Sequence, residues 1–447
     1  MRLPRGTPTL LAGVVIGGLL AYALVVTAVL VFEPGKSEPS STSAAVQAPL
    51  DQSQAQASPQ DNEAQALFSG PLPPSALTEL PCSQVDDDHE RHDVSTDESS
   101  PAEEDYTLDS EWLEALCTFE IQPASEASAQ LDIGLGETAV AELQEVPLFH
   151  FPGLVDSNSP LAWIGDKLVA FNSRAWPTFS YGADLADLSP PESVEMYEQN
   201  GDGGRWFEAV WLDPESSILY GWYHREPDDL SCLTAPVIGA AISYDYGATW
   251  LDQGTVLEDP YPLDCDYENG YFSGGNGDFS VIVDTESQYF YFLYSNYGGP
   301  LYEQGIGIAR SAFADRGQPG TAYKWDGVGW DQPGIGGVTY AVIPAATSWA
   351  GPDVDAFWGP SVHWNTYLQR YVALLNRSSG PEWAQEGVYV SFSSDLLTWT
   401  IPHKLLDTNS WYPQVVGEDP GDTDTLAGQA SRLFVGGISV YALEFVK

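Results

Sequence analysis

Between Gly274 and Tyr297 the chain reads Gly-Gly-Asn-Gly-Asp-Phe-Ser-Val-Ile-Val-Asp-Thr-Glu-Ser-Gln-Tyr-Phe-Tyr-Phe-Leu-Tyr-Ser-Asn-Tyr. Two runs of β-branched and aromatic residues, Phe279 to Val283 and Tyr289 to Tyr294, flank the turn-forming Asp284-Thr-Glu-Ser. That pattern predicts a β-hairpin. An antiparallel pair returns to where it began, so Asp278 and the Ser295-Asn296 end of the second run share one face. A carboxylate stands at the mouth of the hairpin.

The layout recurs. Pro160-Leu-Ala-Trp-Ile and Lys167-Leu-Val-Ala-Phe are split by Gly165-Asp166, a two-residue turn of the kind hairpins favour. Trp206 to Leu212 and Ile218 to His224 flank Asp213-Pro-Glu-Ser-Ser, and Ser361-Val-His-Trp and Arg370 to Leu375 flank a turn at Asn365. A looser pair joins Gln414-Val-Val to Arg432-Leu-Phe-Val. Between hairpins lie further strands that each lead into a tryptophan: Val237 to Ser243 before Trp250, Gly305 to Arg310 before Trp325, and Gly387 to Phe392 before Trp399. Units of this kind predict an all-β fold, a five-bladed β-propeller. His363, alternating with Val362 and Trp364, reads as a satisfied core side chain.

Lys and Arg number 16 against 64 Asp and Glu, a formal charge of −48. A phosphate backbone is repelled by such a surface, so nucleic acid is excluded as a partner and a neutral ligand fits best. The charge excess leaves room for a structural calcium ion held by carboxylates and water; no other cofactor is expected.

Ahead of the propeller, Arg2 and Arg5 precede an unbroken apolar run, Leu10 to Phe32, about 34 Å long as a helix against a bilayer core of about 30 Å. Residues 1–32 are therefore expected to be a transmembrane anchor or a cleaved signal, with the remainder delivered outside the cytoplasm, membrane-anchored or secreted. Residues 33–105 are rich in Ser, Ala, Gln, Pro and acids and read as a disordered acidic linker, His89 and His92 included. Residues 106–145 carry Trp112, Leu113, Leu116 and Phe119 at spacings that allow a short helix, a strap ahead of the propeller at 146–447. Cys82, Cys117, Cys232 and Cys265 show no Cys-x-x-Cys spacing, which argues for disulfides over zinc. Three connectivities are open; nearest-neighbour pairing joins Cys82 to Cys117 and Cys232 to Cys265.

Ser243-Tyr-Asp-Tyr-Gly-Ala-Thr-Trp250 resembles the Asp-box, Ser-x-Asp-x-Gly-x-Thr-Trp, of sialidase-like and other glycosidase propellers. Physically it is a corner: Asp245 bonds turn amides, Gly247 supplies a positive φ and Trp250 packs between strands. Ser393-Ser-Asp-Leu-Leu-Thr-Trp399 looks like a relaxed copy.

Carboxylates at hairpin mouths carry the chemical signal, since glycoside hydrolysis needs two carboxyl groups flanking the bond. The candidates are Asp156, Glu208, Glu226 and Asp278. Asp156-Ser-Asn-Ser-Pro160 stands where the first-blade Asp stands in five-bladed propeller glycosidases, and the propeller as a whole resembles glycoside hydrolase families 43, 32 and 117. The resemblance implies that Asp156 is the base or nucleophile and Asp278 the middle-blade Asp. Where several relatives have Glu before Gly-Pro, this chain has Trp358. The proton donor then falls to His224, since family 117 uses a histidine acid, or to Glu226. Trp176, Trp206, Trp358 and Tyr412 are candidate stacking walls for a sugar, and Glu208 joins Trp206 as a substrate-binding candidate. The expected activity is acid/base hydrolysis of neutral oligo- or polysaccharides. The alternatives are a non-catalytic glycan-binding or adhesion propeller, for which Trp358 speaks, and a sialidase. A sialidase requires three arginines converging from among Arg174, Arg205, Arg225, Arg310, Arg370 and Arg377.

Overall fold

The structure is a computed structural model that describes residues 118–197, 201, 203–227, 232–381 and 383–447. The expected anchor, the acidic linker, Trp112, Leu113, Leu116, Cys82 and Cys117 lie outside the described residues. Among the described residues no helix is long and apolar enough to cross a membrane.

Five sheets make a five-bladed propeller. The innermost strands are Leu161–Ile164, Gly204–Leu212, Asn276–Val283, Asp353–Asn365 and Pro413–Gly417. Each pairs antiparallel with the next strand outward, as the hairpin patterns predict. In the first blade Ile164 pairs with Lys167 across the two-residue turn, where Gly165 has φ 66°. In the third blade Asn276 pairs with Asn296, which brings Asp278 and Ser295 to one end as expected.

The apolar core sits between blades, because both faces of each twisted sheet must be covered. Ala162 and Phe171 of the first blade pack with Phe207 and Trp250 of the second. Trp222 and Ile238 pack with Phe279 and Phe292 across the next gap, and Ile282 and Ile308 meet Val362 and Tyr371. Leu374 and Val390 meet Leu433 and Leu443. Val416 and Phe434 return to Leu161 and Leu168 and close the ring.

Closure also uses the chain ends. Thr138–His150 pairs antiparallel with Ile438–Val446 inside the fifth blade, and Gln130–Asp132 extends that sheet. Ile121–Pro123 joins the edge of the fourth blade against His403–Thr408. The described part of the 106–145 strap is mainly strand and turn, while Trp112, Leu113 and Leu116, whose spacing allowed a helix, lie outside the described residues. Its backbone groups are claimed by open strand edges, a non-local reward that spacing does not reveal.

The corner at Ser243 to Trp250 forms as a hydrogen-bonded turn. Ser243 Oγ accepts from Gly247 N–H at 2.8 Å, Asp245 accepts from Thr249 N–H at 2.9 Å and Thr249 Oγ at 2.7 Å, and Trp250 Nε1 donates to Gly247 O at 2.8 Å. Gly247 has φ 104°. Cys232 and Cys265 are disulfide-bonded with Cα atoms 4.9 Å apart. The bridge stabilises the fold by roughly 3–4 kcal/mol in the chain-entropy picture. His363 is buried as expected but not satisfied: neither ring nitrogen has a hydrogen-bond partner among the described residues.

Candidate active site

The inner strands of three blades are broken by bulges. In the second blade the register passes from Phe207 paired with Tyr223 to Ala209 paired with Trp222, leaving Glu208 as the extra residue. In the third it skips Asp278, and in the fourth it shifts across Gly359-Pro360. A bulge re-aims a side chain out of the in-out alternation of its strand. Asp278 accordingly has φ 37°, a left-handed backbone that costs a non-glycine residue on the order of 1–3 kcal/mol.

Hydrogen bonds lock the bulges to one another. Glu208 Oε2 accepts the Phe279 N–H. Ser295 Oγ donates to Asp278 O at 3.2 Å and accepts the Gly359 N–H at 2.8 Å. Asn158 Nδ2, two residues after Asp156, donates to Pro360 O at 3.3 Å.

His224 ends the second strand of its blade beside this group. Its Nδ1 accepts the Asp278 N–H at 3.0 Å, and its Nε2 faces Glu226 Oε1 at 3.2 Å. A lone pair at Nδ1 leaves the proton on Nε2, so this bonding assigns a neutral ring that donates to Glu226. Burial opposes a charge on the imidazole, but the Glu226 hydrogen bond and the Asp278 carboxylate outweigh it and push the ring up to about 9, against the neutral form that the Asp278 amide favours. A second proton must displace the Asp278 amide. Gly277 is required here, because a Cβ on it would lie 2.6 Å from His224 Cε1.

Ligand-capable atoms of Glu208, His224 and Asp278 all lie within 4.8 Å of one another, and all three side chains are buried. Each of these residues already has protein hydrogen bonds. Tyr297 donates its hydroxyl to Asp278 Oδ2, Phe279 supplies Glu208, and the Asp278 amide fills His224 Nδ1. Calcium takes six to eight oxygen ligands, and this mixed, already bonded group suits proton sharing better. Burial pushes the carboxyl of Glu208 well above the usual range, with Asp278 adding to it. Burial likewise raises Asp278, against the pull of His224 and the Tyr297 hydroxyl.

Asp156 and Glu226 are the carboxyl groups of the set that reach solvent. Burial by the surrounding protein, then the charges of Asp278 and Glu226, push Asp156 up to about 6, while Arg174 and His224 act the other way. Asp156 is thus accessible from one side and enclosed on the others.

The sequence candidates separate into two groups. Asp156, Glu208, His224, Glu226 and Asp278 come together at one end of the funnel, and Tyr412 lies beside Asp278. Trp206 is half-buried and packs edge-on to His224 at 5.5 Å. Trp176 is exposed, with the Arg205 guanidinium 5.9 Å from its ring. Trp358 is a correction: it is 1% exposed and its indole donates to Ser378 Oγ, so it supports the wall from behind. The partly exposed faces of that aromatic cluster belong to Tyr271, Trp411 and Tyr412. Tyr297, Tyr271 and Trp411 escaped sequence reasoning; Tyr297, the residue after the second strand of the opening hairpin, Tyr289–Asn296, was within reach of the same topological argument. The arginines of a sialidase do not converge. Arg205 pairs with Asp252, Arg310 lies over Tyr289 and Trp330, Arg370 pairs with Glu137, and Arg377 with Asp355 and Glu386. Four of the six thus have partners of their own.

No family model and no curated protein matches the chain. Among solved structures it is similar to a thermostable family-43 glycoside hydrolase, at 12% identity and TM-score 0.41 over 65% of this chain and 88% of that one. It is also similar to an endo-arabinase from Bacteroides thetaiotaomicron, at 11% and 0.41 over 67% and 97%. A third is an N-acetylgalactosamine deacetylase from F. plautii in complex with blood group B trisaccharide, at 12% and 0.40 over 68% and 94%. At such identities no residue role is carried across.

Proposed function

We propose that this protein is a glycoside hydrolase-like propeller that cleaves neutral oligo- or polysaccharides by carboxylate acid/base chemistry. The observation that carries the reading is the convergence of Asp156, Glu208, His224, Glu226 and Asp278 from three blades on one end of the funnel, two of the carboxyl groups open to solvent and two buried. Hydrolysis needs one carboxyl group to give a proton to the leaving oxygen and another to activate water or attack.

Asp156 serves as base or nucleophile. With its carboxyl near 6 it is ionised at neutral pH yet more basic than an ordinary aspartate. Glu226 serves as proton donor: its Oε1 accepts from His224 Nε2, which leaves the other oxygen to carry a proton to the substrate. His224, 3% exposed and bonded at both nitrogens, orients Glu226 and the Asp278 amide. Asp278 and Glu208 form the buried floor of the site, where burial favours the protonated form of each. Trp206, Tyr271, Trp411 and Tyr412 offer ring faces for stacking. The charge of −48 favours uncharged glycans.

The Cys232–Cys265 disulfide supports action outside the cytoplasm. The apolar run Leu10 to Phe32 supports attachment to a membrane.

The test is a screen of galactan, arabinan, xylan, β-glucan and mannan for released reducing ends, with the full-length protein and Asp156→Asn. Turnover on at least one polymer is expected, falling at least about 100-fold in the variant. Undiminished turnover in Asp156→Asn overturns the role given to Asp156, and binding without turnover in the wild type favours a glycan-binding propeller.

A further inference from the structure

A second aromatic surface lies apart from the funnel wall but on the same end of the molecule. In the third blade Asn296 pairs with both Asn276 and Gly305, so the connection 297–304 emerges beside Asp278. Tyr302, on that connection, is 59% exposed, and Tyr340 is 47% exposed, their rings 6.3 Å apart at 33°. The Tyr302 carbonyl accepts the Ala341 N–H at 3.3 Å, which fixes the two segments together. Tyr261 comes from the segment that leaves the second blade at this end, tied down where Asp259 Oδ2 accepts the Gly275 N–H at 2.8 Å.

These rings are held rather than loose. The Tyr261 hydroxyl donates to Glu303 Oε1 at 3.0 Å, and Glu303 is 2% exposed. Gly299, with φ 78°, lies under the Tyr261 ring, where a Cβ would come within 2.5 Å of Cε2. Exposed aromatic side chains fixed in place present apolar faces at little cost in conformational entropy. Acidic groups add negative charge around them: Glu258 is exposed, and Asp259 and Glu303 lie buried beneath. That charge rejects anionic polymers and leaves uncharged ones.

We propose that Tyr261, Tyr302 and Tyr340 form an outlying subsite that binds a neutral glycan chain whose other end occupies the funnel. The proposal rests on the glycan reading above. Tyr302 is five residues from Tyr297, whose hydroxyl holds Asp278, so its Cα lies within about 18 Å of that residue's, the most five residues can span. A hexasaccharide is long enough to bridge any separation up to that bound.

The experiment measures binding of disaccharide and hexasaccharide fragments of the five polymers above to the full-length protein, to Tyr302→Ala combined with Tyr340→Ala, and to Tyr302→Trp. The double variant is expected to weaken hexasaccharide binding about tenfold, leave disaccharide binding unchanged, and contrast with Tyr302→Trp, which keeps a ring and the affinity. Unchanged hexasaccharide binding in the double variant overturns the subsite while the glycan reading stands. Equal loss for both lengths also overturns it, because the rings would then be acting through the fold. Absence of binding of every probe to the wild type overturns the glycan reading and the subsite with it.

Discussion

Asp245 and Asp278 are the same residue type, placed on neighbouring blades with opposite consequences. Asp245 caps an outer corner, where it accepts from Ser243 Oγ, Thr249 N–H and Thr249 Oγ. Burial there opposes the charge, and the hydrogen bonds from Thr249 and Ser243 outweigh it and hold the carboxyl below its ordinary value. Asp278 sits in an inner-strand bulge, 4% exposed, with other carboxyl groups nearby. Burial there raises its carboxyl. An aspartate supplied with amides and hydroxyls holds a fold together; one stripped of water and crowded by acids is prepared to exchange protons.

The contrast is sharpest in substitutions. Asp278→Asn keeps the shape and an acceptor for Tyr297 but removes the ionisable group. We expect kcat/KM to fall by about 1,000-fold, with a urea midpoint no lower than the wild type's. A lowered midpoint with activity retained would make Asp278 a second Asp245. Asp245→Ala should do the reverse, costing about 2 kcal/mol of stability in equilibrium unfolding while kcat/KM per folded molecule stays unchanged.

The signs with pH also differ. Asp156, whose carboxyl is raised to about 6 from 3.8, must be ionised to act as base. Activity should therefore fall as pH drops through about 6, and this limb should be missing from the residual rate of Asp156→Asn. The same raised value means the folded state holds a proton that the unfolded chain releases. The stability from Asp156 is thus present below about pH 4 and is lost as pH rises towards 6. Asp245 has a depressed folded value, so its contribution is present above the unfolded value near 3.8 and is lost as pH falls through the lower folded one. Unfolding titrations of Asp156→Asn and Asp245→Asn against the wild type should show these opposite slopes.

The smallest effect belongs to the relaxed corner. Asp395 accepts from Ser393 Oγ and from the Leu397 and Thr398 amides, and Leu396 stands at φ 66°. The Thr249-type hydroxyl bond has no counterpart there, so Asp395→Ala should cost about 1 kcal/mol, less than Asp245→Ala in the same assay.

Hairpins, their turns and the two tryptophan corners were legible in sequence because period-two patterning and turn chemistry are local. Asp278 and Asp156 were legible for a related reason, since an antiparallel hairpin fixes which end its first residue occupies. Trp358 was misread because position along a strand does not say which side of a wall a side chain lies on. His363 was half read: alternation put it inside, but only packing shows whether a partner meets it. The pairing of Thr138–His150 was beyond local reading, since its partner Ile438–Val446 lies at the other end of the chain.

By itself the sequence determined an all-β chain of repeated hairpins, a strongly acidic surface and a short roster of carboxylates at strand mouths. Each follows from composition or from interactions over a few residues. Tertiary structure alone decided that Glu208 and Asp278 stand on bulges, that His224 spends its Nδ1 lone pair on the Asp278 amide and turns its other nitrogen to Glu226, and that Asp156 keeps a face open to solvent. The physical reason is that burial and charge crowding are properties of a place in space, assembled here from three blades, and no stretch of chain contains them.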